Sequence, residues 1–320
     1  MMKERRHSST TRVSLIHGAP DRFQGVKRAV SLLGVNPVEG KDVLLKPNFN
    51  TADPFPASTH NETLAALVGE LRFLGAKTVT IGERSGPPDT REVLADKQLP
   101  ALADQLGVEL VNFEELPEED WLNVQPERSH WRAGFDVARP VLDAQSVVTT
   151  CCLKTHRYGG IFTMSLKLSV GMVHKRNMGE LHGAQKHHMM KMIAEINQVY
   201  TPDLVVMDGT EVFVDGGPMQ GERKKADMIF AATDRIALDA VGLALLKYLG
   251  SNRHIMEIPI FKQEQIARAV ELGLGVSDPR DIEIVSDDSG GRMIAAELTK
   301  ILAADLSWPE EFISTIEKSV

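Results

Sequence analysis

Three observations predict an α/β fold with a mostly parallel sheet flanked by helices for this 320-residue chain. Short apolar runs alternate with longer segments of helical apolar spacing, the pattern of strands joined by helical crossovers. Four of those runs end in charged or amide-bearing residues, as strands do when their carboxyl ends border a ligand crevice. An apolar content of 42% with 25% charged residues is ordinary for a globular chain with a sizeable core. The expected organisation is an N-terminal α/β part over 1–113, an irregular excursion over 114–140, and a C-terminal α/β part over 141–320. Two lobes would then meet at a cleft along the strand carboxyl ends.

The elements follow in order. Residues 13–17 suit a first strand, and 22–33 place Phe23, Val26, Val30 and Leu33 at helical spacing before Gly34, a usual C-cap. The run 43–46 stops at Pro47 and reads as a buried strand entering a loop. In that loop Ser58, Thr59, His60 and Asn61 offer N-caps to a helix over 62–74, which Gly75 closes. A strand over 78–81, a helix over 99–106 and a strand over 108–111 come next. In the excursion, Glu114, Glu115, Glu118, Glu119 and Asp120 form an acidic patch suited to a solvated loop. Trp121 and Trp131 are expected to fasten this segment to the body, with the lining of a cleft as the alternative. Further strands are expected over 147–153, 204–207, 228–232 and 282–285, and helices over 189–199, 236–249 (capped by Asp234), 259–272 and 293–302. The stretch 212–221 is turn-rich.

Composition narrows the function classes. A net charge of −8 argues against a general nucleic-acid binder. No run of eighteen apolar residues offers a membrane span, and the charged first ten residues lack the apolar run of a secretory leader. The two cysteines, Cys151 and Cys152, are adjacent; they cannot alone make a four-ligand cluster, and a reduced, cytoplasmic setting is expected. Within their strand they are expected to be packed and inert.

Against the acidic whole, residues 151–191 invert the sign. They hold seven Lys or Arg against the single acid Glu180, a local charge of +6, and five of the ten histidines. Such an inversion suits the binding of something negative. The four polar strand endings are Lys46-Pro-Asn48, Gly82-Glu83-Arg84-Ser85, Lys154-Thr155-His156 and Asp208-Gly209-Thr210-Glu211. Lys46, Lys154 and Lys167 can supply fixed positive charge to a carboxylate or phosphate; pairing with Glu83, Asp208 and Glu211 is the alternative. Asn48 and Thr155 add neutral donors. His156 lies two residues after Lys154, on the same side of an extended segment, and beside lysines it loses its proton readily, which suits a general base or a metal ligand. His187 and His188 are expected on different sides of a helix, as surface residues. A divalent metal could be held by His156 or His182 with Glu83, Asp208 or Asp215, although no HExxH-like spacing fixes such a site. Residues 216–221, GGPMQG, lack the GK[ST] ending of a phosphate loop, yet the backbone N–H groups near Gly217 and Gly221 can face an anion, or simply form a tight turn.

The ordered set Lys46-Pro-Asn48, Ser58-Thr59, Lys154-Thr155-His156, Thr163 to Lys167, Gly171, Asp208-Gly209, Gly216-Gly217-Pro218 with Gly221, and Asp234 with Ala237 to Ala240 resembles the domain of unknown function 362 family, over roughly 44–249. The resemblance by itself implies no particular reaction. Some members of that family resemble fusions to ferredoxin modules with CxxCxxC runs; this chain has none, so no self-contained iron–sulfur cluster is expected. The family's usual Lys-Asn pair reads Lys167-Leu168 here. In architecture the family is similar to nickel-dependent lactate racemases, which place a site between two α/β lobes. The resulting expectation is an enzyme acting on a small carboxylate- or phosphate-bearing molecule. His156, Lys154 and Lys167 would be catalytic; Lys46, Asn48, Thr155, Gly217 and Gly221 would bind substrate; Glu83, Asp208 and His182 would be candidate metal ligands. The alternatives are a non-catalytic redox or metal-handling partner of an iron–sulfur system, with a ferredoxin-type protein as its counterpart, and an anion-binding regulatory module. Homo-oligomerisation stays open.

Overall fold

The computed structural model describes residues 10–19, 21–158, 161–184 and 186–304; the charged start of the chain lies outside them. The elements run β1 (Thr11–His17), α1 (Arg22–Leu33), β2 (Asp42–Lys46), α2 (Asn61–Phe73), β3 (Thr78–Glu83), α3 (Thr90–Asp96), α4 (Leu99–Leu106), β4 (Glu109–Asn112), β5 (Trp121–Val124) and β6 (Phe135–Ala138). They continue through α5 (Arg139–Asp143), β7 (Ser146–His156), β8 (Ile161–Thr163), α6 (Ser165–Leu168), α7 (Met189–Ile196), β9 (Leu204–Gly216) and β10 (Gly221–Ala232). The last are α8 (Arg235–Leu249), α9 (Arg253–Glu257), α10 (Glu264–Glu271), β11 (Ile282–Val285) and α11 (Ser289–Ala304).

Nine strands form one mixed, mostly parallel sheet in the order β11-β1-β10-β9-β7-β2-β3-β4, with β8 alongside β7. The pairings β1–β11, β2–β3, β2–β7, β3–β4 and β7–β9 are parallel; β1–β10, β9–β10 and β7–β8 are antiparallel. Strands from both sides of the excursion thus share the sheet. The excursion itself makes a separate two-stranded ribbon, β5–β6.

The continuous apolar character of the central strands reflects burial on both faces. Val43 and Leu45 pack into a layer with α1 and α2, whereas Leu44 between them packs against Phe113, Trp121 and Trp131. Along β7, Val148 faces the α1–α2 layer and Cys151 and Leu153 face α8. Both tryptophans therefore fasten the excursion, and the Trp131 indole N–H donates to the Met192 carbonyl at 3.2 Å. Two helix ends carry the caps read from the sequence: Gly34 adopts φ 68°, and Asp234 accepts from the N–H groups of Ile236 and Ala237 at 2.7 and 3.0 Å; Asp21, which the sequence did not single out, caps α1 by accepting from the Gln24 N–H at 2.8 Å.

The main departure from the sequence-based expectation lies at β9. The strand expected over 204–207 runs on to Gly216, and β10 begins at Gly221 rather than near 228. Asp208-Gly209 had the look of a strand ending, but Val212, Phe213 and Val214 are buried, and Val212 and Phe213 pair across the hairpin. The step is absorbed by a register shift against β7 between Cys152 and Lys154, a bulge that adds residues without ending the strand. The helix expected over 259–272 divides into a single turn at Ile260–Lys262 followed by α10. Among the described residues, no helix is long and apolar enough to cross a membrane.

The hairpin turn brings Gly217, at φ 69°, against β7, where a Cβ would collide with the Thr155 carbonyl oxygen. Gly217→Ala is therefore expected to destabilise the fold by more than about 1 kcal/mol, read by chemical denaturation. An unchanged midpoint would show that the turn does not need this backbone approach.

Candidate functional site

The carboxyl ends of the parallel neighbours β3, β2 and β7 open on one cleft of about 590 Å³, a size typical of small-molecule sites. Lys46 ends β2, Glu83 ends β3, and Lys154 and His156 project from the end of β7. The loop after β3 adds Arg84, the short helix α6 adds Lys167, and the segment after it adds Lys175 and His182. Among the described residues, five Lys or Arg side chains line the cleft and Glu83 is the one carboxylate there. Leu168, Val170, Met178, Pro218 and Met219 supply its apolar walls.

That carboxylate is already engaged. Glu83 ion-pairs with Lys46, both side chains being 1% exposed, and accepts the N–H groups of Phe49 at 2.7 Å and Arg84 at 2.8 Å. Lys46 also donates to the Pro47 carbonyl at 2.7 Å. Burial pulls the Lys46 ammonium down and pushes the Glu83 carboxyl up, while each charge holds the other ionised. The pair forms a rigid floor, over which Gly171 sits so closely that a Cβ would lie 2.9 Å from Lys46 Nζ.

Of the remaining cations only Lys175 has a carboxylate partner among the described residues. Arg84 donates to the Ser85 carbonyl at 2.7 Å and to the Val170 carbonyl, and burial brings its guanidinium down to about 10. Lys154 donates to the Ala57 carbonyl and is lowered by burial. Lys175 pairs with Glu114 at 2.6 Å. Lys167 has no hydrogen-bond or ion-pair partner among the described residues; burial first, and the charge of Lys154 second, bring it down to about 8. His156 feels burial first and then Lys167 and Lys154, which hold its imidazole at about 2. Its Nδ1 is buried without a hydrogen-bond partner.

The backbone carrying Lys167 is clamped. The buried Asp239 carboxylate of α8 accepts the N–H groups of Ser165 at 2.8 Å and Leu166 at 3.0 Å, capping α6. The Asn197 amide donates to the Leu166 carbonyl at 3.0 Å and to Ser169 Oγ at 3.1 Å, while Asn197 Oδ1 accepts from Arg235 at 2.9 Å. Two distant helical segments thus set where the lysine emerges.

Not every residue expected at the site reaches it. Lys46, Asn48, Glu83, Lys154, His156, Lys167 and His182 line the cleft; Thr155, Asp208, Gly217 and Gly221 do not. Thr155 alternates to the opposite side of β7 and donates to the Phe213 carbonyl at 3.3 Å. Asp208 lies within β9 rather than at a strand end, and its carboxylate accepts from Arg22 Nε at 2.8 Å and Thr63 Oγ1 at 2.6 Å. Gly217 and Gly221 shape the turn that presents Pro218 and Met219 to the cleft. Asn48 Nδ2 is buried beside the Cys152 thiol, with no other hydrogen-bond partner among the described residues. The candidate metal donors Glu83 and Asp208 are held by Lys46 and Arg22, and His182 Nδ1 lies 3.1 Å from the Met178 carbonyl. Among the described residues no group of three or more His, Cys, Asp or Glu side chains is arranged to hold a metal ion. His187 and His188, expected to diverge, instead lie with ring centroids 4.1 Å apart and planes tilted by 52°. Both thiols are buried, and Cys152 is pushed up to about 11. Sequence reasoning did not assign Arg84, Lys175 or Tyr158 to the site. Tyr158 could have been found from the two-residue spacing after Lys154 and His156, Arg84 from its place in the polar ending after β3, and Lys175 from the basic segment 151–191.

The family described as "Domain of unknown function (DUF362)" matches residues 43–244. The chain belongs to that family. All the cleft-lining residues, from Lys46 to Met219, fall inside the part matched to DUF362. A curated relative, "Thylakoid-associated protein sll1697" of Synechocystis sp. (strain ATCC 27184 / PCC 6803 / Kazusa), is 25% identical over 77% of this chain and 75% of its own length. A lactate racemase apoprotein from Thermoanaerobacterium thermosaccharolyticum superposes with a TM-score of 0.47 at 14% identity, over 73% of this chain and 56% of the racemase chain. The present chain thus spans little more than half the length of that structure.

Two measurements probe the supports of the site. Glu83→Gln leaves Lys46 buried without its counter-charge and is expected to cost about 3–5 kcal/mol by urea denaturation; adding Lys46→Met should recover part of it. An unchanged stability in the single variant would mean that the pair is not desolvated as described. Burial raises the Asp239 carboxyl from 3.8 to about 7, so between those values the folded chain keeps a proton that the unfolded chain has released. Asp239 therefore favours folding at low pH and loses that contribution as pH rises toward 7, at up to about 1.4 kcal/mol per pH unit. The stability difference between wild type and Asp239→Asn should accordingly shift between pH 5 and pH 8; a constant difference would rule out a buried, proton-retaining carboxyl.

Proposed function

We propose that the cleft binds a small molecule bearing a carboxylate or phosphate and catalyses proton transfer on it. One observation carries this reading: Lys167 stands without a partner among the described residues, in the same cleft as Lys154, which has only a carbonyl to donate to. Two cations sharing a low-dielectric space are mutually unfavourable, and an anion placed between them relieves both terms at once. Lys154 and Lys167 therefore hold the anionic group in the proposal, and the Asn48 amide nitrogen supplies a further donor from the cleft wall.

His156 separates an enzyme from a plain anion-binding module. A receptor for anions would use a protonated imidazole, whereas this one is kept neutral by burial and by the two lysines. A neutral ring with an unpartnered Nδ1 can accept a proton. The bound anion would offset the lysine field and raise the basicity of the ring, so that the base is activated when substrate is present. In this scheme Lys167, at about 8, can return a proton near neutral pH. The chemistry that follows is isomerisation or hydrolysis driven by general acid–base steps. Because Glu83 and Asp208 are committed to Lys46 and Arg22, the proposed steps use the side chains of the cleft alone.

Calorimetric titration with inorganic phosphate and with pyruvate tests the reading. Lys167→Met should weaken binding by about ten- to a hundred-fold, the loss of one charge-assisted hydrogen bond. The His156 ring, followed by NMR, should take up a proton at higher pH with the anion present than without it. Wild-type affinity in Lys167→Met would remove the basis for the proposal.

A further inference from the structure

Resting on that reading, and naming its substrate class, we propose that Lys167 is an amine nucleophile that forms an imine with a carbonyl compound which also carries a carboxylate or phosphate, such as a 2-oxo acid or a phosphorylated aldehyde. The cations of the cleft differ in a way that anion binding alone does not require. Lys46 is tied to Glu83, Arg84 to two backbone carbonyls, Lys154 to the Ala57 carbonyl, and Lys175 to Glu114 and the Pro88 carbonyl. Lys167 alone among these has no partner among the described residues. A purely electrostatic lysine gains from being held by acceptors that fix its position. A nucleophilic amine must keep its lone pair free and be able to shed its proton.

Three further features fit the nucleophile. Asp239 and Asn197 clamp the backbone around Lys167, so its amine emerges from a fixed point. Lys154 shares the cleft and lowers the proton affinity of Lys167, the arrangement by which a neighbouring cation activates an amine. Leu168, Val170 and Met178 line the same space with apolar surface, which favours condensation by excluding water. Lys154 is the less suited of the two lysines, because it is 1% exposed and donates to a carbonyl.

The step balances without a redox partner. The Nζ lone pair of neutral Lys167 adds to the carbonyl carbon, and the proton it releases passes to the former carbonyl oxygen, giving a carbinolamine. His156, which lines the same cleft with its Nδ1 unpartnered, relays that proton. The second N–H proton then leaves with the hydroxyl group as water, so that one carbonyl and one amine become one imine and one water. Lys154 holds the anionic group throughout. The resulting imine carbon withdraws electrons from the adjacent C–H bond, which makes the proton transfer proposed for His156 easier.

Reductive trapping tests this directly. Wild-type protein is incubated with pyruvate, and separately with pyridoxal 5′-phosphate, in the presence of cyanoborohydride, and the adduct is located by peptide mass mapping. The expected result is one reduced adduct per chain at Lys167, formed at least about ten-fold faster than at an exposed lysine such as Lys186. The rate should rise with pH to half its maximum near about 8. Lys167→Arg, checked for folding by thermal denaturation, should lose the adduct while still binding phosphate by calorimetry. Labelling at Lys167 no faster than at exposed lysines overturns the imine; if phosphate still binds, the anion site stands without it. Absence of both phosphate binding and labelling would overturn the anion site as well.

Discussion

Uncompensated positive charge in a desolvated cleft is the constraint around which the rest is arranged. Lys154, Lys167 and Arg84 share a space whose single carboxylate already belongs to Lys46. Each buried cation costs free energy, and the shifts to about 8 for Lys167 and about 10 for Arg84 express that cost. Nothing in a stable fold requires the arrangement, since a carboxylate opposite Lys167 would relieve it. The surrounding structure must therefore hold the lysines in place. It does so through two buried polar networks, the Lys46–Glu83 pair with its backbone donors beneath the cleft and the Asp239–Asn197–Arg235 set behind α6.

These networks explain why the core is divided as it is. One layer of apolar residues packs α1 and α2 on the sheet, a second packs α8, and a third packs the excursion and α7. The cleft lies where strand ends leave those layers, so its charged groups reach open space without crossing a packed interior. Asp208 shows the opposite solution a few residues away. It points into the α1–α2 side, where Arg22 and Thr63 donate to one carboxylate oxygen and Thr210 donates to the other. A buried acid with a full set of donors is a structural tie, whereas a half-buried base without acceptors among the described residues is a site in waiting.

Much of this was legible in the amino-acid order because it depends on local rules. Apolar periodicity located the strands and helices, and Gly34 and Asp234 marked helix ends by their residue type. The two-residue spacing of Lys154 and His156 put both on one side of β7, and the local excess of basic residues pointed to the cleft. What escaped depended on relations between distant segments. The bulge between β7 and β9 cannot be read from either strand alone, and it turned an apparent strand ending at Asp208 into a strand interior. The partners of Glu83 and Asp208 lie 37 and 186 residues away in the chain, so whether these acids were free ligands or committed counter-ions was not a local property. Gly217 and Gly221 looked like anion-binding loop glycines because close backbone approach and anion binding make the same demand for a missing side chain.

The part of the chain that matches DUF362 sharpens the argument about where function resides. It begins at 43, three residues before Lys46, and ends at 244, within α8 and after Asp239. It therefore contains the cleft lining together with the Asp239 and Asn197 clamp, while β1, α1, α9, α10, β11 and α11 lie outside it. The segment that defines the family is thus the segment that assembles the cations and the imidazole, and the outer strands and helices complete the sheet and cover its far end. Within that segment, Lys167 depends on both the sheet and α8 for its position. A change in the seating of α8 would reach the amine through Asp239 before it reached any other cation of the cleft, because Lys46, Arg84 and Lys154 are fixed by the loops at the strand ends instead.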